Sequence, residues 1–302
     1  MTTQAAIGRW SSRLPEAGTV FMYPYDFPSR LDDTEFCLAL LARIHFPAHR
    51  GRVTCSLCNG PADATLLHDI SCTAPTEKRT AIRHSGVQRA FVDNFKSCPY
   101  IDKAKFRLDT AQPNYSDFGV RILPPGANAN PALAKSRICH PDIKITRCTA
   151  NALTNGENIL VDFTVAGLNA QNAQRASESS GVLAAAAEDR KISEVKRSWT
   201  LRKDVRILPY AVELTGGHGL ISRNFLHELL DIPPPPSLQG DESGAQRVRD
   251  ERDAKTQALH RLKAAITAAV WVGNYHMYRA YANSLRAKEL AGNANVTSED
   301  ED

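Results

Sequence analysis

The 302 residues predict an α/β protein, a mixed sheet flanked by helices and preceded by a small metal knuckle. Three observations carry that expectation. Cys55, Cys58, His68 and Cys72 lie within eighteen residues, in a spacing that suits a tetrahedral Zn²⁺ ion. From Phe106 to Val165 the apolar pattern shifts to short period-2 runs broken by Pro, Gly and Asn, the mark of strands. Helical apolar periodicity holds on either side of that region.

In chain order, residues 1–31 carry Pro15, Gly18, Pro24 and Pro28 and read as irregular. A first helix is expected over Asp33–Ile44. Asp32 with Glu35 three residues on makes a capping box, and Phe36, Leu40, Leu41 and Ile44 form the stripe expected to face inward. Gly60-Pro61 then turns the chain so that His68 and Cys72 close on the Cys55/Cys58 pair. Filling all four positions makes the site structural. The plainer reading is a chance grouping of three of the seven cysteines, but a disulfide scheme leaves an odd thiol.

A second helix is expected over Thr76–Lys96, with Ile82, Val87, Phe91 and Phe95 inward and Lys78, Arg79, Arg83 and Arg89 mostly outward. Those basic residues and His84 are candidate phosphate contacts, although a charged solvent face is the ordinary explanation. Strands are expected at Ile138–Thr146 and Ile159–Val165, joined by a loop of about ten residues containing the hairpin signal Asn155-Gly156. Antiparallel pairing about Ala152 sets Asp142 and Asp162 side by side. An Ala-rich stretch from Ala170 to about Trp199 reads as one or two helices. A buried strand Ile207–Leu214, a Gly216-Gly217 turn and a helix near Ser222–Leu230 follow. Glu213 is expected in or near the core sheet, where burial requires a partner. The Ile232–Pro236 run is a stiff spacer. An amphipathic helical appendage follows, weakest at Gly273-Asn274, and the chain after Leu290 reads as disordered. The expected division is 1–50, an irregular segment and helix; 51–75, the knuckle; 76–231, the main domain; 232–245, the linker; 246–290, the helical segment; and 291–302, an acidic tail.

Net charge is +4, and removing the four carboxylates of Glu299–Asp302 leaves +8, which suits a polyanionic partner. No export-signal layout opens the chain and no run approaches membrane length, so a reducing compartment, nuclear or cytoplasmic, is expected.

Two carboxylates on neighbouring strands after His140-Pro141 are what a Mg²⁺- or Mn²⁺-dependent nuclease uses to hold a hard cation by oxygen. The competing reading is a pair of solvated strand carboxylates. The common form continues as (D/E)-x-K, but here Thr164 stands two residues after Asp162. The lysine must then come from elsewhere, with Lys144 and Lys196 as candidates.

The order of Cys55/Cys58/His68/Cys72, Arg83-His84, Pro141-Asp142, Asp162-x-Thr164, Lys196 near an aromatic, and Pro209–Gly217 resembles the C-terminal portion of non-LTR retrotransposon polyproteins. In these a CCHC knuckle precedes a restriction-endonuclease-like domain of the PD-(D/E)xK type. The match spans about residues 33–278 and lacks a polymerase segment, since no Tyr-x-Asp-Asp signature is present. The resemblance implies an endonuclease that nicks target DNA, with Asp142 and Asp162 as metal ligands and a lysine, best placed as Lys196, assisting. DNA is the expected partner, with the element's RNA a second candidate. The rival expectation is a catalytically inactive nucleic-acid-binding module, or a retroelement relic.

Overall fold

A computed structural model describes residues 31–43, 54–60, 62, 67–72, 74, 79–122, 140–149, 152–167, 181–233 and 242–296. The expectations for residues 1–30, Lys78, Ile138, Cys139, residues 170–180, Pro234–Pro236 and 297–302 lie outside them.

Helix α1 (Asp33–Arg43) opens on the expected capping box: Asp32 Oδ1 accepts from the Glu35 N–H at 2.7 Å, and Glu35 Oε2 accepts from the Asp32 N–H at 3.0 Å. Its buried face differs from the expected stripe. Leu38, Ala39 and Ala42 pack on Ile70, Leu214 and Trp271, while Phe36 and Leu40 are exposed. The helix is apolar almost all round, so the neighbours choose the face, and the two alanines allow closer approach.

After the short helix α2 (Leu67–Ser71) comes α3 (Arg79–Ser97). Val87, Phe91 and Phe95 are buried as expected, but Ile82 is 48% exposed and Arg83 only 8%. The strands are β1 (Phe106–Asp109), β2 (Gly119–Arg121), β3 (Ile143–Thr149), β4 (Ala152–Ala166), β5 (Trp199–Leu201) and β6 (Val205–Glu213). The main sheet runs β1-β3-β4-β6. Its first three strands are antiparallel neighbours, and β6 joins β4 in parallel after the crossover helix α4 (Val182–Ser198). Such a crossover is how two parallel neighbours are connected. Strands β2 and β5 form a small separate sheet.

One face of the main sheet presents Ile143, Ile145, Ile159, Val161 and Phe163 to α3, to α5 (Leu220–Leu230) and to the long helix α6 (Glu242–Val296). On the other face α4 sets Val195 over Leu160 beside Tyr115, and Ala184 and Ala187 over Ala211.

Two expectations are corrected here. Asn155-Gly156 is not a turn: β4 begins at Ala152, so both residues lie in the strand. Gly156 is needed because a Cβ there would stand 2.3 Å from the Arg147 carbonyl oxygen, where the register shifts between Arg147 and Thr149. The segment past residue 246 is not an appendage either. It is one 55-residue helix that starts inside the expected linker, buries Leu259, Leu262, Ile266 and Val270 in the main core, and continues to Val296. Gly273 marks a close crossing with α3, since a Cβ there would lie 2.5 Å from Arg83 Cβ.

Candidate functional site: a Cys3His cluster and a paired-carboxylate centre

The knuckle is compact. The Cys55 N–H donates to the Gly60 carbonyl at 2.8 Å and the Asn59 N–H to the Cys55 carbonyl at 2.9 Å, with Asn59 in the left-handed region at φ 56°. This loop turns backbone N–H groups toward sulfur: Leu57 donates to Cys55 Sγ at 3.4 Å and Gly60 to Cys58 Sγ at 3.3 Å. The four ligand atoms of Cys55, Cys58, His68 and Cys72 lie within 4.8 Å of one another. Ordinary zinc bond lengths give tetrahedral edges of about 3.8 Å between sulfurs and about 3.6 Å between sulfur and nitrogen. The Cys55–Cys72 sulfurs are 4.0 Å apart and Cys58 Sγ lies 3.5 Å from His68 Nε2, so the residues fit the ion. Burial works against a Cys55 thiolate, but N–H donors from Cys58 and Leu57 and the contacts with His68 and Cys58 outweigh it and bring the thiol down to about 6. Cys72 is pushed up to about 12 by burial and by the neighbouring sulfurs. A dication removes that conflict by letting both sulfurs carry charge.

Helix α6 supplies the wall behind the cluster. Tyr281 packs on Cys55 and Cys72, with its hydroxyl 3.5 Å from Cys55 Sγ and its ring edge-on to His68. Lys288 donates to the Ser56 carbonyl. The knuckle is thus docked on the fold.

The second constellation lies at the end of the β3–β4 ladder. Ile143 pairs with Val161, and continuing that register by one residue sets Asp142 opposite Asp162. Asp142 Oδ2 accepts from the Phe163 N–H at 2.7 Å and lies 3.2 Å from His84 Nε2 on α3. Gln88, one turn along α3, donates to the Asp142 carbonyl at 3.4 Å. Asp162 is buried, and its Oδ2 lies 2.9 Å from the Nζ of Lys191 on α4. Burial raises the Asp162 carboxyl, with the Asp142 charge adding to it and Lys191 opposing. The hydrogen bond to Asp142 raises the His84 imidazole against its burial, helped by both carboxylate charges. Two carboxyl groups, an imidazole and an ammonium group therefore meet at the end of the β3–β4 ladder. Among the described residues, three or more metal-ligating atoms converge only at the knuckle.

The sequence-predicted lysines stand elsewhere. Lys196 is exposed on α4 and does not reach Asp162. Lys144 pairs instead with Asp109 Oδ2 at 3.2 Å. The residue that sequence reasoning missed is Lys191, yet a signal for it exists. Ala184, Glu188 and Val195 are buried at helical spacing, and Lys191 falls on that stripe, whereas Lys196 sits one residue past it.

Of the basic residues on α3, Arg83 is a correction. Its guanidinium donates to Asn274 Oδ1 at 3.0 Å and to the Ile70 carbonyl at 3.4 Å, and burial brings it down to about 10. It ties α2, α3 and α6 together, and its burial takes it off the solvent face expected to meet phosphate. Arg89 is exposed as expected, His84 faces Asp142, and Arg79 lies in the first turn of α3.

Buried carboxylates hold the two helices beside this centre. Glu213 accepts from the Leu183 N–H at 3.0 Å at the start of α4. Glu188 accepts from the N–H groups of Ile221 and Ser222, both at 2.9 Å, at the start of α5. Each occupies a helix N-terminus, where unpaired N–H groups and the dipole favour an anion. Glu213 thereby has its expected partner.

No family model matches the chain, and no curated protein is found as a relative.

Proposed function

We propose that this protein is a metal-dependent DNA endonuclease of the restriction-endonuclease-like type found in non-LTR retrotransposons, carrying a structural zinc knuckle. The observation that supports it best is the placement of Asp142 beside Asp162 with Lys191 Nζ 2.9 Å from Asp162. The element order α3-β1-β3-β4-α4-β6 also supports it: a helix, three antiparallel strands, a crossover helix and a parallel strand.

In this reading Asp142 and Asp162 hold one Mg²⁺ or Mn²⁺, whose chemistry when bound is to activate a water and stabilise charge on the scissile phosphate. Two protein carboxylates are enough, because Mg²⁺ keeps several waters and takes remaining ligands from substrate phosphate. Phe163 N–H orients the Asp142 carboxylate. Lys191 takes the place of the lysine missing at Thr164, presenting a cation from the helix toward a phosphate beside Asp162. His84 holds Asp142 from the opposite side. The zinc cluster fixes α2 against α6 and, through Ile70 and Arg83, the helix that carries His84.

A second reading has a specific observation in its favour. His84 and Lys191 already pair with the two carboxyl groups, at 3.2 and 2.9 Å, which is how a retired site kept for nucleic-acid binding would be compensated. A plasmid-nicking time course with Mg²⁺ or Mn²⁺ separates the two. Nicking by the unmodified chain that is lost in Asp142→Asn and in Asp162→Asn supports the nuclease, and equal rates in all three sink it.

A further inference from the structure

The same sheet face that carries the two carboxylates continues into an open cleft of about 630 Å³ at the β1–β3 edge. Period-2 alternation places Asp142, Lys144 and Thr146 on one face of β3, about 7 Å per step. Across the ladder, Asp109 is paired with Lys144 and Arg107 with Thr146. Lys96 from the end of α3, Thr110 after β1 and Asn158 from β4 add to the polar lining. Among the described residues three cations thus line the cleft with one carboxylate, and none of the lining side chains is an aromatic ring on which a base could stack. That composition suits phosphate and sugar contacts and not base readout.

Resting on the nuclease reading, we infer that this cleft is the track for the DNA phosphodiester backbone flanking the cut. In it Lys144 and Arg107 bind successive phosphates next to the one held at Asp142 and Asp162. The Lys144–Asp109 pair does not prevent this. Its side chains are 27% and 46% exposed, and solvent-exposed pairs are weak, so Lys144 exchanges a carboxylate for a phosphate at small cost. Lys144 thereby acquires a role one strand step from the metal-binding carboxylates without being the lysine of the reaction.

The test is equilibrium binding of a fluorescein-labelled 30-base-pair duplex to the zinc-loaded full chain without added Mg²⁺, across a salt series. Each lost duplex phosphate contact removes about 0.9 from the slope of log K against log salt, so Arg107→Gln with Lys144→Gln should flatten it by about 1.8. Asp109→Asn, which keeps the side-chain shape and removes the competing charge, should tighten binding. As a charge-matched control, Arg247→Gln with Arg249→Gln on the exposed start of α6 should leave the slope unchanged. An unchanged slope in the cleft variant, an equal loss in the control, or no tightening in Asp109→Asn overturns the inference. Failure of the nuclease reading looks different: the duplex is bound through the cleft, but plasmid is not nicked with Mg²⁺. If plasmid is nicked while the cleft variant binds normally, the catalytic reading stands and the track does not.

Discussion

Replacing Gly273 by alanine tests how closely α3 and α6 cross. In an open helix the change would stabilise by about 1 kcal/mol, because alanine is the better helix former. Here the new Cβ would meet Arg83 Cβ at 2.5 Å, Cγ at 2.6 Å and Cα at 2.7 Å. The last contact is backbone, so a rotamer change cannot relieve it and α3 must move. Overpacking of this kind costs about 1–3 kcal/mol and occasionally more, and backbone movement belongs at the upper end. Moving α3 also strains the Arg83–Asn274 bond at 3.0 Å, a buried charge-assisted contact. The clash outweighs the propensity gain, and the expected net loss is about 2 kcal/mol. Urea unfolding should show a lower midpoint at unchanged slope. Gly167→Ala, where a Cβ meets nothing within 4 Å, should change stability little. A Gly273→Ala chain as stable as its parent, or more stable, would refute the close crossing.

Purified chain should carry one Zn²⁺, lost when Cys58 and Cys72 are both changed to serine; a metal content unaffected by that pair would remove the zinc site. Because Tyr281 and Arg83 tie the knuckle to α6 and α3, chelation should disturb the aromatic near-ultraviolet signal and not only residues 54–74. Burial, with the charges of Lys263 and Arg223, brings the His218 imidazole down to about 3. The unfolded chain takes up a proton near 6.5 that the folded chain refuses, so this group's contribution is intact above pH 6.5 and is lost as pH falls toward 3. The loss is at most on the order of 4–5 kcal/mol. The raised Asp162 and Glu188 carboxyls act in the opposite sense, so the comparison is with His218→Gln, which should flatten the acid limb of stability against pH; an identical limb in both proteins counts against a buried neutral His218.

Local signals were legible wherever their partners were near in sequence. Asp32 and Glu35 lie three residues apart, and their capping box formed. The register that sets Asp142 beside Asp162 follows from the midpoint of two strands joined by a short connection. Signals failed where a contact from another element overrode the local pattern. Asn155-Gly156 carries a hairpin turn's chemistry, yet close approach of the Arg147 carbonyl uses the glycine inside a strand. A basic residue in Arg83's position is usually solvated. Its partner Asn274 lies 191 residues away, so nothing local marked it as buried. Lys191 is readable from the helical stripe of Ala184, Glu188 and Val195, whereas the resemblance implies Lys196. The buried face of α1 was not readable, because Phe36, Leu40 and Leu41 are as apolar as the Leu38 that is buried.

The central claim is that Asp142, Asp162 and Lys191 form one phosphodiester-cleaving centre, and single-turnover nicking of supercoiled DNA with Mg²⁺ tests it most directly. A cation that acts only in the transition state affects rate and not substrate binding, and removing one such contact costs about 100-fold or more. Lys191→Met should therefore lower the nicking rate by about that factor at unchanged DNA affinity, with Lys196→Ala within about twofold of the parent. A Lys191→Met chain that nicks at the parental rate, or a parent no faster than Asp162→Asn, would contradict the claim.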